Sequence, residues 1–334
     1  MLARVIRLFR VLSVVKLPGT WFPRFVRRKE KARLPAAPFY DYDRWKNRAS
    51  RYDRIASVDE RTLQASLNGL ALGPLRYYER IGSTNDEAAR WAASGAPDLA
   101  LVVADEQTAG RGRMGRSWYT PPGAALAFSL VLRPSQAAAP VGHAATHLTA
   151  LGALALATAL ESLYGLPAEI KWPNDVLVQR RKLAGILAEA QWQGEALQAV
   201  ILGIGVNVEP GSVPDDPELN FPATSVAGCL AAQGERPPAV DRLELLRAML
   251  EQLLGWRAQL GTPRFLQAWE ERLAFKGEWV RLLRHEGGEA AYPLEGMVLG
   301  LDPNGALRLG DRAGRVHAIQ AGEVHLRASG ESKV

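Results

Sequence analysis

The sequence predicts an α+β fold: a mixed, mostly antiparallel sheet flanked by helices, with a small β domain at the C-terminal end. Three successive strands between residues 175 and 208 are joined by tight turns, which makes neighbouring strands antiparallel. Helical patterns occupy separate segments, at 141–164 and within 240–274. Short strands at turn-marked intervals begin near residue 275. Strands and helices grouped in this way are typical of the α+β class.

Local signals place the other elements. Ser83 and Thr84 followed by Glu87 form a capping-box pattern that opens a helix, and Gly95 ends it. We expect the helices to lie on one side of the sheet. Further strands are predicted at 75–81, 99–105, 124–133 and 169–172.

The composition is that of a folded protein from a reducing environment. The 334 residues are 47% hydrophobic and 23% charged, which excludes disordered, collagen-like and coiled-coil classes. This length allows about two domains. Cys229 is the only cysteine, so an intrachain disulfide and a thiolate metal cluster are excluded, and we expect a cytoplasmic location. The longest apolar stretch, 148–160, is too short to span a membrane.

Positive charge is concentrated at the N-terminal end. Residues 1–34 contain ten basic residues and one acid, a net charge of +9, whereas the remaining residues carry −3. Residues 35–334 therefore give no compositional reason to expect a nucleic-acid partner. A short amphipathic helix and a disordered extension both stay open for the N-terminal segment. We divide the chain into a basic extension and linker (1–57), a main domain (58–274) and a small β domain (275–328).

A loop rich in glycine and arginine spans residues 110–117 (GRGRMGRS). Its glycines satisfy the dinucleotide-binding pattern G-x-G-x-x-G and nearly satisfy the P-loop pattern, with Arg116 replacing lysine. Both sites need a helix that begins at the loop, because its first amides hold the phosphates. Pro121 and Pro122 exclude such a helix, so we reject both patterns. The arginines still predict a cationic loop that an anionic ligand can order.

A second group of polar residues occurs where two predicted strands meet. The segment 171–175 (KWPND) brings together an ammonium, an amide and a carboxylate. Such side chains suit nucleotide oxygens and Mg²⁺. Lys182 opens the next strand, Gly185 lets a ligand approach that strand's backbone, and Asn207 ends the strand after it. Each of these residues alone is a weak functional signal.

Taken together, these strings resemble those of the biotin protein ligases in content, order and spacing. The resemblance covers residues 58–328 and is carried by Ser83-Thr84-Asn85, Gln107, the GRGRMGR loop with Trp118, KWPND, KLAGIL (182–187) and GIGVN (203–207). Met114 departs from the family pattern, because many members have another arginine there, and Thr108 replaces a glutamine found in some. The family fold is related to class II aminoacyl-tRNA synthetase cores and ends in a small SH3-like β-barrel.

The resemblance implies a two-step reaction. A biotin protein ligase activates biotin with MgATP to biotinyl-5′-AMP and then transfers biotin to a specific lysine of the biotin carboxyl carrier protein of acetyl-CoA carboxylase. ATP and Mg²⁺ are the implied cofactors, biotin is a substrate, and the carrier protein is the implied partner. Residues 58–274 are then the biotin- and ATP-binding catalytic domain.

The resemblance also implies roles for individual residues. Lys182 and Arg113 are the implied catalytic residues, which stabilise charge at the biotin carboxylate and the α-phosphate. Biotin binding is implied for Ser83, Thr84, Asn85, Gln107, Arg111, Gly112, Arg113, Lys182 and Gly185. ATP binding is implied for Arg116, Trp118, Lys171, Asn174, Asp175 and Asn207, with Asp175 also a Mg²⁺ ligand.

Three other functions stay open at this point. A lipoate–protein ligase-like acyltransferase shares the catalytic architecture, although KWPND with GRGRMGR favours biotin. A biotin-sensing regulator needs a DNA-binding domain, and the linker before residue 58 lacks two apolar helices with a tight turn. A biotin-binding scaffold is the non-enzymatic alternative. No nucleic acid or membrane partner is expected, and homodimerisation is left open.

Overall fold

The computed structural model describes residues 58–133, 141–214, 222–234, 240–283, 285–286, 289–290, 294–320 and 323–326. The predicted basic extension and linker lie outside the described residues. The helices are α1 (Glu60–Ser66), α2 (Thr84–Ala93), α3 (Val141–Tyr164), α4 (Val226–Ala232), α5 (Arg242–Arg257) and α6 (Pro263–Glu271). The strands of the main sheet are β1 (Leu75–Ile81), β2 (Leu101–Gln107), β3 (Ala125–Leu132), β4 (Glu169–Lys171), β5 (Asp175–Val178), β6 (Arg181–Gln193) and β7 (Ala196–Asn207).

The main sheet is mixed and mostly antiparallel. Its strand order is β1-β2-β3-β7-β6-β5-β4, and every neighbouring pair is antiparallel except β1 and β2. The hairpins β5–β6 and β6–β7 form at the two predicted tight turns. Within the second hairpin, Gly185 of β6 lies opposite Gly205 of β7. The predicted fold class is confirmed.

Helices cover both faces of this sheet, which corrects the expectation that they lie on one side. On one face, Gly152 of α3 approaches the side chains of Ile186 and Ile204. On the other face, Ala88 of α2 belongs to a small core with Ile201. Because successive side chains of a strand point to opposite faces, β7 contributes to both cores. The short α2 covers only one end of its face, and the rest is open to the cleft described below.

The central core helix of the main domain is α3. Its residues 150–160 are buried almost throughout. The helix extends the apolar stretch beyond the 148–160 of the sequence expectation: by length and composition Thr146–Tyr164 could cross a membrane, but 67% of it is buried inside the protein. An apolar helix that packs against both the sheet and α5 shows the burial of a core helix.

The start of α2 differs in detail from the predicted capping box. Ser83 caps the helix, and the amide of Asp86 donates to Ser83 Oγ (3.4 Å). Glu87 is turned toward β1 instead. It accepts from Arg76 Nη1 (2.8 Å) and from the Tyr78 hydroxyl (2.9 Å). The glutamate therefore attaches α2 to the edge strand rather than completing the cap.

The sequence patterns miss α1 and α4. Both helices have only seven residues, too few for an amphipathic pattern to emerge. Asp59 caps α1 and Ser225 caps α4 through their side-chain oxygens. Strand β2 begins two residues later than predicted, because Leu99 has a φ of 58°, outside the strand region.

The C-terminal residues form a five-stranded antiparallel sheet in the order β13-β12-β11-β8-β14, beside the two-stranded ladder β9–β10. These strands are β8 (Trp279–Leu283), β9 (His285–Glu286), β10 (Glu289–Ala290), β11 (Leu294–Leu301), β12 (Leu307–Gly310), β13 (Val316–Ile319) and β14 (Glu323–Leu326). Trp172 Nε1 donates to the carbonyl oxygen of Gly305 in the turn after β11 (3.1 Å). This buried hydrogen bond connects the C-terminal sheet to KWPND. The domain boundaries stay a prediction.

A buried ion pair attaches α5 to the main sheet, and breaking it is expected to destabilise the fold. Arg242 Nη1 lies 2.5 Å from Asp105 Oδ1 and 3.3 Å from the carbonyl oxygen of Ala125. Arg242→Ala leaves the Asp105 carboxylate without its cation, so we expect the free energy of unfolding to fall by about 3–5 kcal/mol. Chemical denaturation measures this loss. Arg315→Ala, whose side chain is 75% exposed, is the control and should cost about 0–1 kcal/mol. Equal losses would contradict the buried role of Arg242.

Candidate active site

A cleft of about 630 Å³ opens on the face of the main sheet that α3 does not cover. Its floor contains Gly185 of β6 and Gly203 and Gly205 of β7. These glycines share one face, because side chains alternate along a strand. Without side chains at these positions, other groups can pack closely against the backbone of the sheet.

The first residues of α2 form one end of the cleft. Thr84 donates to Gln107 Oε1 through its amide (2.8 Å) and its hydroxyl (3.1 Å). Gln107 Nε2 in turn donates to Thr120 Oγ1 (3.0 Å). Ser83 and Thr84 are both buried. This end of the cleft therefore suits a ligand part that carries several hydrogen-bonding groups.

Asn85 continues this polar end across the sheet. Ser129 Oγ donates to Asn85 Oδ1 (2.6 Å), and Asn85 Nδ2 donates to Glu189 Oε2 (2.7 Å). The close approach of Asn85 requires glycine at position 203, since a Cβ there would overlap Asn85 Oδ1. Protein groups thus hold the side-chain amide of Asn85 at both ends.

The glycine/arginine loop (110–117) folds into a small hairpin over the cleft. The amide of Gly112 donates to the carbonyl oxygen of Arg116 (2.7 Å), and Arg113–Gly115 forms a single 3₁₀ turn at the tip. The next regular element is β3, which confirms that the loop does not open a phosphate-binding helix. Arg113 Nη1 donates to Asn174 Oδ1 (3.0 Å), so the loop reaches KWPND.

Asp175 is a buried carboxylate between two lysines. Lys182 Nζ lies 2.8 Å from its Oδ1, and Lys171 Nζ lies 3.3 Å from its Oδ2. Burial raises the pKa of Asp175, but the two ammonium groups outweigh burial and hold this pKa below its ordinary value. The carboxylate is therefore charged at neutral pH, and two cations share its single negative charge.

Trp118 covers the glycine floor. A Cβ at Gly205 would overlap the indole, and a Cβ at Gly185 would lie 3.3 Å from Trp118 Cζ3. Lys182 Nζ lies 5.5 Å from the centroid of the indole ring, within cation–π distance. In the described part of the chain, the buried Trp118 Nε1 has no hydrogen-bond acceptor. A ligand that brings an acceptor to this point would satisfy it.

The structure places all fifteen predicted site residues in the walls of this one cleft. Lys182 and Arg113 line it together, although they come from a strand and a loop that are distant in sequence. The ligand roles of the fifteen residues stay predictions. Arg111 and Asn85 are turned largely toward other protein groups, because both hydrogen-bond to Glu189.

Sequence reasoning missed the roles of Gly203, Gly205 and Glu189. For the two glycines a signal was available, since glycine at every second position of GIGVN leaves one face of the strand bare. Glu189 carried no signal of its own. Its importance depends on a partner that is 78 positions away in the sequence.

Known proteins match the main part of this chain in sequence. A sequence model of the biotin/lipoate A/B protein ligase family matches residues 77–207. The chain is 40% identical over 259 residues to the biotin–[acetyl-CoA-carboxylase] ligase of Paracoccus denitrificans, covering 73% of this chain and 97% of that protein. The chain belongs to the biotin protein ligase family. The resemblance drawn from the motif strings is thereby confirmed.

Other members of the biotin protein ligase family match a comparable share of the chain at lower sequence identity. The biotin–[acetyl-CoA-carboxylase] ligase of Mycobacterium tuberculosis is 35% identical over 277 residues, covering 81% of this chain and 96% of that protein. The solved structure of the Aquifex aeolicus biotin protein ligase in complex with biotin and ATP is 28% identical with a TM-score of 0.60, covering 76% of this chain and 98% of that one.

In this member of the biotin protein ligase family, segment 222–224 borders the cleft beside Lys182. The amide of Lys182 donates to the carbonyl oxygen of Pro222 (2.7 Å), and the amide of Thr224 donates to the carbonyl oxygen of Lys182 (2.9 Å). Asn207 Nδ2 also donates to the carbonyl oxygen of Thr224 (3.0 Å). These bonds fix the ends of β6 and β7 against one segment.

Proposed function

We propose that the chain activates biotin with MgATP to biotinyl-5′-AMP and transfers the biotinyl group to a lysine of the biotin carboxyl carrier protein of acetyl-CoA carboxylase. The observation that carries this proposal is the convergence of Lys182 and Arg113 in one cleft, next to the buried Asp175. The family membership supports the choice of biotin as the acid.

In the first step, a carboxylate oxygen of biotin attacks the α-phosphorus of ATP, and pyrophosphate leaves. Two negatively charged groups meet in this step, so cations at the meeting point lower the barrier. Lys182 supplies an ammonium from β6, and Arg113 supplies a guanidinium from the loop. Catalysis is thus positioning and charge neutralisation, and it needs no nucleophile from the enzyme.

The single thiol supports this direct route. Cys229 is buried in α4, with its Sγ 3.3 Å from Thr224 Oγ1. Burial raises the pKa of this thiol, and a protonated thiol is a poor nucleophile. A covalent enzyme intermediate at Cys229 is therefore disfavoured.

In the second step, the ε-amine of the acceptor lysine attacks the acyl carbon of the adenylate. A C–N bond forms, the acyl C–O bond to AMP breaks, and the amine nitrogen loses a proton. The mixed anhydride also reacts with water, so the site has to shield it until the carrier protein binds. The glycine/arginine loop provides this cover, because the Arg113–Asn174 hydrogen bond joins it to KWPND.

The polar groups divide the cleft between the two substrates. Ser83, Thr84 and Gln107 offer hydroxyl and amide groups to the ureido ring of biotin at the α2 end. KWPND and Asn207 line the other part, which we assign to ATP. Lys182 then lies where the carboxylate and the α-phosphate meet.

The cleft suits Mg²⁺ that arrives with ATP rather than a metal ion held by protein side chains alone. Both oxygens of Asp175 already accept from lysines, and the described residues contain no group of three His, Cys, Asp or Glu that could hold a metal. Mg²⁺ commonly keeps several waters and binds through substrate phosphates rather than an all-protein cage. Asp175 as a direct ligand stays a prediction.

The test incubates the purified full-length chain with biotin, MgATP and a carrier domain, followed by streptavidin blotting. We expect biotin-dependent ATP–pyrophosphate exchange and one labelled lysine on the carrier domain. Exchange that depends on lipoate instead of biotin would support the lipoate–protein ligase alternative. Biotin binding without any exchange would support the scaffold and overturn the proposal.

The remaining expectations accompany this function as proposals. We place the reaction in the cytoplasm, in keeping with a lone cysteine that forms no intrachain disulfide. The carrier protein is the proposed partner, and no nucleic acid is expected. Sequence-specific DNA binding by the full-length chain would favour the biotin-sensing regulator.

A further inference from the structure

Glu189 of β6 joins α2 to the glycine/arginine loop. Its Oε1 accepts from Arg111 Nη1 (2.7 Å), and its Oε2 accepts from Arg111 Nη2 (2.7 Å) and from Asn85 Nδ2 (2.7 Å). Paired hydrogen bonds between arginine and a carboxylate fix the orientation of both groups. Glu189 is not part of the cleft lining, so it reaches the site only through Arg111 and Asn85, which are.

A second carboxylate strengthens the attachment of Arg111. Arg111 Nη2 lies 2.8 Å from Asp86 Oδ1 in the first turn of α2. Hydrogen bonding to Glu189 raises the pKa of Arg111, which keeps the guanidinium charged. The base of the loop is therefore attached to both α2 and β6 by ionic hydrogen bonds.

The next arginine of the loop extends in another direction. Arg113 hydrogen-bonds to Asn174 of KWPND, whereas Arg111, two residues earlier, is held by Glu189 and Asp86. The position of the loop base thus decides which part of the cleft Arg113 can reach. A shift of about 1 Å in such a group is enough to impair catalysis.

We propose that Glu189 is a positioning residue of the ligase reaction, which fixes the loop base through Arg111 and the α2 end of the cleft through Asn85. This inference rests on the proposed function. One carboxylate serves both attachments, so loss of its charge loosens the biotin end and the covering loop together. Ser129 alone then holds the amide of Asn85.

The first test replaces Glu189 with glutamine, which keeps the size of the side chain. Its amide nitrogen takes the place of one acceptor oxygen and faces a donor of Arg111 or Asn85. The loop base is expected to open more often, and trypsin, which cuts after arginine, detects this at Arg113 and Arg116. We expect cleavage there to be about tenfold faster than in the native chain, the size of a lost hydrogen bond to a charged group.

The second test measures biotin-dependent ATP–pyrophosphate exchange. E189Q is expected to raise the KM for biotin about tenfold and to lower kcat as well, because Glu189 touches neither substrate but positions both the biotin end of the cleft and the loop that carries Arg113. Glu251→Gln is the matched control. Glu251 lies 2.9 Å from Arg247 on α5, outside the cleft lining, and its loss should change neither cleavage nor KM.

R111Q and the double variant R111Q/E189Q separate positioning from a general loss of stability. If Glu189 acts through Arg111, the fold increase in the KM for biotin of the double variant is well below the product of the fold increases of the two single variants. Fold increases in KM that multiply in full would overturn the proposal, and so would a native rate of trypsin cleavage and a native KM in E189Q.

Should E189Q not fold, faster trypsin cleavage at Arg113 in R111Q supports the attachment of the loop base, and a native cleavage rate there refutes it. A native chain without biotin-dependent exchange would refute the proposed function, while the trypsin comparison would still test the attachment.

Discussion

Lys182→Ala is expected to lower the rate of adenylate formation by about 10²–10³-fold while the chain stays folded. Lys182 Nζ lies 2.8 Å from Asp175 Oδ1 and faces the indole of Trp118. In the proposed first step, this ammonium neutralises the charge that gathers where the biotin carboxylate meets the α-phosphate. Alanine removes that cation, so no side chain of β6 neutralises the negative charge that develops there.

The surroundings of Lys182 make this substitution a test of the cation rather than of the fold. Its backbone amide and carbonyl hydrogen-bond to Pro222 and Thr224, and these bonds do not involve the side chain. Asp175 keeps Lys171 as a charged partner at 3.3 Å. We therefore expect β6 to begin at the same place in the variant.

Biotin-dependent ATP–pyrophosphate exchange measures the effect, and thermal unfolding reports whether the fold is kept. Lys276→Ala is the matched control, because Lys276 is an exposed lysine outside the cleft that pairs with Glu270 (2.6 Å). The control should keep the native exchange rate. Near-native exchange in the Lys182 variant would refute its assigned role, and an equal loss in both variants would indicate a general effect on stability.

The cleft could be located from sequence because each of its charged residues lies inside a recognisable string. Arg113 belongs to the glycine/arginine loop, Asp175 to KWPND and Lys182 to KLAGIL. Glu189 belongs to no such string. Its two partners reach it only once α2 and the loop are folded over β6, so no local pattern could reveal it.

The strands were predictable for a similar reason, since turn chemistry and alternation are local properties. The face that a helix covers is not local. Helix α2 buries alanines such as Ala88 and Ala92, but the pattern of a single helix does not say which face of the sheet it covers. The alternation of Gly203 and Gly205 marks a bare face of the strand, but the side chains that pack on that face, Asn85 and Trp118, are identified only in the folded chain.

Asp175→Asn is expected to lower the free energy of unfolding by about 3–5 kcal/mol and to abolish adenylate formation. The carboxylate is buried and serves both Lys171 and Lys182. The amide keeps the shape of the side chain but leaves two ammonium groups close together without an anion. Lys171 is itself buried, so water cannot replace the lost charge there.

The pH dependence of this effect has a definite sign. The pKa of Asp175 is held below its ordinary value of 3.8 in the folded chain. The charged carboxylate therefore stabilises the fold fully at pH values above the pKa of the carboxyl group in the unfolded chain. The difference in unfolding free energy between the native chain and the variant should be constant from about pH 7 to pH 5. It should narrow as the pH falls below about 4, because the carboxyl group of the unfolded chain takes up a proton there first and the native carboxylate follows only at lower pH.

A second substitution tests whether the stability lost in Asp175→Asn is due to the uncompensated positive charge. Removing one ammonium from the variant, as Asp175→Asn with Lys171→Met, should recover part of the lost unfolding free energy, since a buried charge is replaced by a hydrophobic group of similar length. Glu278→Gln is the control at an exposed pair with Arg180 (2.7 Å), and we expect it to cost about 0–1 kcal/mol. If the double variant is less stable than Asp175→Asn alone, the loss reflects packing and not charge, and the electrostatic account of this end of the cleft is wrong.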